Sequence, residues 1–85
     1  MKYEILITNS ASKQLKRLPT TTQKAITEAI DQLTLGLNAT CKKLAGLPDT
    51  YRSRVGDYRI VFQMQKNKLV IVIIRVAHRK EVYRR

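Results

Sequence analysis

Tyr51-Arg52-Ser53-Arg54-Val55-Gly56-Asp57-Tyr58-Arg59-Ile60-Val61-Phe62-Gln63-Met64-Gln65 is the stretch that decides the fold. Its period is two. Tyr51, Ser53 and Val55 point one way and Arg52 and Arg54 the other, as successive strand residues must. Gly56-Asp57 marks a turn. The alternation then resumes, with Tyr58, Ile60, Phe62 and Met64 forming an apolar face and Arg59, Val61, Gln63 and Gln65 the opposite one. Gln65-Lys66-Asn67-Lys68 offers a second hairpin turn without the favoured Asn-Gly pair. Leu69 to Ala77 is apolar on both faces apart from Arg75, the pattern of a strand inside a sheet. Three strands in a meander are expected.

Working back toward the N-terminus, Lys2 to Thr8 alternates loosely and carries β-branched Ile5 and Ile7, which predicts a first strand. Asn9 and Ser10 offer a helix cap, and Ala11, Leu15 and Leu18 share one face of a short helix with Lys13, Lys16 and Arg17 turned outward. Pro19 ends it. Thr20 with Gln23 fits a capping box for a second helix, in which Ile26, Ala29, Ile30, Leu33 and Leu37 recur at helical spacing before Gly36 closes the C-terminus. Asn38 to Asp49 reads as a connecting loop anchored by Leu44 and Leu47. The order strand, helix, helix, then three strands predicts an α+β fold: a mainly antiparallel sheet with both helices on one face.

The chain has 85 residues, room for one domain, and its 44% hydrophobic content gives no reason to expect disorder. Its charge is unusual: 17 Lys and Arg against 6 Asp and Glu, a formal net charge of +11. An excess of that size in so short a chain predicts attraction to a polyanion, whether nucleic acid, acidic lipid or acidic protein. Cys41 is the only cysteine and His78 the only histidine, so neither an intrachain disulfide nor a structural zinc site is expected. The N-terminus lacks the apolar run of a signal peptide, and Leu69 to Ile74 is too short to span a membrane, so the cytoplasm is the expected location.

Arg52, Arg54 and Arg59 project away from the Tyr58-Ile60-Phe62 row, and the hairpin returns the chain so that Arg59 lies near the end of the last strand, where Arg75, His78 and Arg79 cluster ahead of Tyr83. Guanidinium groups bind phosphate through two hydrogen bonds in fixed geometry, and Tyr and His can stack on exposed bases. Any one of these arginines is more simply a solvated strand residue. As a set they repel one another, with few carboxylates near in sequence (Asp49, Asp57 and Glu81) to relieve them, and an anionic ligand explains the set better. No carboxylate pair, nucleophile elbow or Gly-rich phosphate loop competes. Catalysis by this chain would use Arg, Lys, His and Tyr without a cofactor. RNA permits that, since its 2′-hydroxyl is a built-in nucleophile.

From the Ala11-Ser12-Lys13-Gln14-Leu15-Lys16-Arg17-Leu18 helix onward, and most specifically in Tyr51 to Phe62 and in Ala77-His78-Arg79-Lys80-Glu81-Val82-Tyr83, the chain resembles the RelE/ParE toxin superfamily, and within it the RelE branch. The resemblance implies one RelE-like toxin domain over residues 1–85, with a microbial-ribonuclease-like fold that ends in a short C-terminal helix. It implies cleavage of mRNA in the ribosomal A site by 2′-hydroxyl attack, leaving a 2′,3′-cyclic phosphate. By position, Arg59 and Arg79 match the family arginines that stabilise the reacting phosphate, Arg79 also being the candidate proton donor to the leaving oxygen. Tyr83 matches the tyrosine that orients the substrate. Arg54 is assigned to the catalytic set, and Arg52, Arg75, His78 and Lys80 to substrate binding.

Arg52 and Arg54 stand where well-known members carry lysines, one of them a proposed general base. Arginine does not give up its proton in proteins, so either His78 takes the proton from the 2′-hydroxyl or charge stabilisation dominates and water takes it. The alternative is a ParE-like inhibitor of DNA gyrase with no nuclease activity, and a third possibility is a nucleic-acid-binding module without activity. The expected partners are the ribosome with its mRNA and an acidic, RelB-like antitoxin, in a hetero-oligomer able to bind operator DNA. No membrane partner is expected.

Overall fold

The computed structural model describes residues 2–78. Strand β1 (Glu4–Ile7) leads into helix α1 (Asn9–Lys16) and helix α2 (Thr20–Gln32), which ends in a 3₁₀ turn, Leu33–Leu35. Four further strands follow: β2 (Cys41–Lys43), β3 (Thr50–Val55), β4 (Tyr58–Gln65) and β5 (Val70–His78). The sheet order is β1-β5-β4-β3-β2. β3, β4 and β5 form the expected antiparallel meander, and β1 joins parallel to β5. With β1 on one side and β4 on the other, β5 lies inside the sheet, which accounts for its apolar residues on both faces.

Both helices cover one face of the sheet. Ala11, Ile26, Ile30 and Leu33 pack against Ile60, Phe62, Met64, Ile71, Ile73 and Val76, and Tyr51 stacks on Phe62 with ring centroids 5.9 Å apart. Each fully buried Ile, Leu or Phe side chain among them contributes about 1.5–3 kcal/mol by leaving water. Tyr51 and Val55 also lie against this core, so the alternation read in β3 and β4 holds residue by residue. Among the described residues, no helix is long and apolar enough to cross a membrane.

Several local expectations are corrected. The cap of α1 is Thr8, whose hydroxyl accepts from the Ala11 amide at 3.1 Å, and Asn9 and Ser10 already lie within the helix. No side chain caps α2. Pro19 occupies that position with φ −56°, pre-set for helix entry, and the Gln23 amide instead donates to the Leu18 carbonyl at 2.8 Å, tying the two helices together. Leu37 lies beyond the helix and is 41% exposed, because Gly36 at φ 102° turns the chain away after the 3₁₀ turn. Part of the segment read as loop is a strand: β2 pairs with β3, placing Lys42 opposite Arg52. Leu44 is half-buried, but Leu47 is 52% exposed and anchors nothing. The expected C-terminal helix lies outside the described residues.

Candidate nucleic-acid interface

The sheet face turned away from the helices carries the arginines. Arg54 on β3 stands directly opposite Arg59 on β4, which stands opposite Ala77 on β5. One pleat further along, Lys42 on β2 is opposite Arg52 on β3, Arg52 opposite Val61 on β4, and Val61 opposite Arg75 on β5. The register therefore draws two rows across the sheet, Arg54-Arg59-Ala77 and Lys42-Arg52-Val61-Arg75. Adjacent strands lie about 4.8 Å apart. Five cationic side chains share one small area.

Strict alternation along β5 would not place Arg75 here. Ile71 and Ile73 face the core, so Arg75 at the same parity would follow them inward. A register shift opposite Val61 and Phe62 intervenes: Phe62 pairs with Ile73 while Val61 pairs with Arg75. This bulge turns Arg75 to the outer face and Val76 into the core. Helix α1 and its cap hold it in place. The Gln14 side-chain oxygen accepts from the Val76 amide at 2.8 Å, and the Thr8 hydroxyl donates to the Ile74 carbonyl at 3.3 Å.

Arg59 is the most enclosed of the five, only 3% exposed, with Nη1 donating to the Tyr58 carbonyl at 3.2 Å. Arg54, Arg75 and Lys42 are exposed and Arg52 half-buried. Lys42, Arg52 and Arg54 line a cleft of about 340 Å³ with Ala39, Thr40 and Gly56. A buried guanidinium flanked by accessible ones suits an anion that is gripped at one point and followed along its length. Among the described residues, no cluster of three His, Cys, Asp or Glu side chains is placed to hold a metal ion.

The structure thus brings Arg52, Arg54, Arg59 and Arg75 together. His78 is not among them. It pairs with Tyr58 at the parity of Ile60 and Val76, on the helix side, with its ring edge-on to Tyr58 at 5.4 Å. Arg79, Lys80 and Tyr83 lie outside the described residues. Lys42 was missed because three strand residues are too few to show a period. The bulge left one sequence signal: a charged Arg75 at the parity of the core residues Ile71 and Ile73.

A family model for the ParE toxin of type II toxin–antitoxin systems matches residues 5–83. Over its full length the chain is 31% identical to the whole of toxin RelG from Mycobacterium tuberculosis. It is 28% identical to the mRNA interferase toxin RelE of Escherichia coli, with 98% of this chain and 92% of that protein covered. Its fold superposes on a chain of the M. tuberculosis toxin–antitoxin complex RelBE2 with a TM-score of 0.82 and 28% identity, covering 92% of this chain and 99% of that one. Fold and sequence together define a toxin of a type II toxin–antitoxin system. The chain belongs to the RelE/ParE superfamily.

Proposed function

We propose that this toxin is a ribosome-dependent endoribonuclease of the RelE type, acting on mRNA in the A site. The observation that carries the reading is the pair of cationic rows on one sheet face, with buried Arg59 at their centre. In the reaction the 2′-oxygen forms a bond to phosphorus, the bond to the 5′-oxygen breaks, and the products are a 2′,3′-cyclic phosphate and a 5′-hydroxyl. Arg54 and Arg59, together with Arg79, bind the phosphate and stabilise the charge that accumulates on it, a contribution worth about 10²–10³ in rate for a single well-placed donor. A water held by the charged Arg79 guanidinium gives the leaving oxygen its proton, and Tyr83 orients the substrate.

The proton of the 2′-hydroxyl goes to water. The described cationic rows consist of four arginines and one lysine, and His78 belongs to the other face. A site that relies on charge and position depends on having its substrate presented in a fixed geometry, which is the role assigned to the ribosome. The acting compartment is the cytoplasm. The toxin is restrained by an acidic antitoxin, a reading supported by the likeness to a chain of a toxin–antitoxin complex and by the charge of +11.

A second reading is favoured by the ParE family match: inhibition of DNA gyrase without nuclease chemistry. Adding the protein to a cell-free translation extract separates the two. The nuclease reading predicts that protein synthesis stops and mRNA is cut. Intact translation together with loss of gyrase supercoiling is the outcome of the other.

A further inference from the structure

Lys42 is the one member of the cationic rows that neither the meander pattern nor the family resemblance assigned. It sits on a strand of only three residues, yet that strand is fixed at both ends. At its start Asn38 forms a turn, its side-chain oxygen accepting from the Thr40 amide at 2.9 Å and its carbonyl from the Cys41 amide at 3.0 Å. The Thr40 hydroxyl is 2.8 Å from that of Ser53 on β3, and past its end the Leu44 amide donates to the Thr50 carbonyl at 2.9 Å. Lys42 is thereby held over Arg52 at the mouth of the cleft that both line with Arg54.

Lysines on an outer strand commonly serve to keep other strands from pairing with it. Lys43, on the same strand and turned to the other face, already does this. Lys42 carries a cost that Lys43 does not, because it is set directly against a second cation, and like charges opposed across a ladder destabilise a sheet. An anion lying between them removes that cost.

Resting on the nuclease reading above, we infer that Lys42 and Arg52 form a second phosphate-binding subsite, which holds an mRNA backbone phosphate one or two nucleotides from the one that is cleaved. Arg54 and Arg59 define the reacting position. Lys42 lies two strands away from Arg59 and one pleat along, on the order of 12 Å between backbones. That distance leads the RNA from the centre of the sheet across β3 to its β2 edge. The subsite acts in binding, and it takes a phosphate as a charge without reading the base.

The test is single-turnover cleavage on programmed ribosomes by the wild type, Lys42→Gln, Lys42→Arg and Lys13→Gln. Lys13 is an exposed α1 lysine remote from the cationic rows and controls for net charge. Lys42→Gln is expected to raise the half-saturating toxin concentration about 5–10-fold with little change in the maximal rate, and to flatten its salt dependence by a slope of about 0.7, the value for one contact to a single strand. Lys42→Arg restores most of the affinity, and Lys13→Gln behaves as wild type. Messages with one neutral methylphosphonate linkage near the cut identify the phosphate: at one such position the penalty of Lys42→Gln disappears.

The inference is overturned if Lys42→Gln matches the wild type, if Lys13→Gln is equally impaired, or if Lys42→Arg fails with a lost maximal rate, which would assign proton transfer to the lysine. A penalty that persists on every neutral-linkage message would place the contact on ribosomal RNA and overturn it too. A wild type that cuts no message removes both this inference and the nuclease reading, whereas the other failures leave the nuclease standing.

Discussion

Arg54 and Arg59 face each other directly across adjacent strands, and one of the two guanidinium groups is almost entirely enclosed. Opposed like charges cost a sheet up to about 1 kcal/mol. Arg54→Gln is therefore expected to gain stability while losing cleavage by about 10²-fold or more. A gain near the upper limit raises the melting temperature by about 4–8 °C in a domain of this size. Thermal unfolding and cleavage measured on one preparation check both halves. A variant that is less stable and still active would show the opposed pair to be structural.

Gln14 maintains the bulge that points Arg75 outward. Gln14→Ala leaves the Val76 amide without its acceptor at a buried position, which costs about 1–3 kcal/mol. Gln14→Glu keeps an acceptor at the same place and loses less. The two melting temperatures give the comparison, and equal loss in both would mean that the hydrogen bond contributes little.

The meander and the side on which Arg52, Arg54 and Arg59 emerge were legible because β3 and β4 alternate over enough residues for a period of two to be unambiguous. The helices were legible from Ile26, Ile30 and Leu33, though their caps were not. Thr8 and Pro19 displaced Asn9 and Thr20 through backbone geometry that composition does not encode. Lys42 was hidden by the shortness of β2, and Arg75 reaches the outer face through a bulge that depends on Gln14, a residue 62 positions from Val76. Contacts that distant in sequence leave no local pattern. The roles of Arg79, Lys80 and Tyr83 were assigned through the family resemblance alone.

His78 packs edge-on to Tyr58 on the helix side of the sheet. His78→Ala is expected to cleave at the wild-type rate at every pH, with the fold confirmed by circular dichroism. A lower rate whose pH profile has also changed shape would make the imidazole the base after all.

Gly56 holds the tight turn between β3 and β4 at φ 58°, and a Cβ built there meets nothing within 4 Å. The cost of Gly56→Ala is thus conformational, about 1–2 kcal/mol, and Gly56→Asn costs less because asparagine tolerates this region. Urea unfolding of the two variants tests the ranking. A reversed order would point to contacts made by the new side chains.

The central claim is that the arginine face cuts translated RNA. Primer-extension mapping of mRNA in a cell-free translation reaction, comparing the wild type with Arg54→Gln and Arg79→Ala, tests it most directly. The account predicts cuts within translated codons by the wild type and their loss in both variants. Unbroken message with translation intact would contradict it, and inhibition of gyrase supercoiling by the same preparation would then identify the other activity.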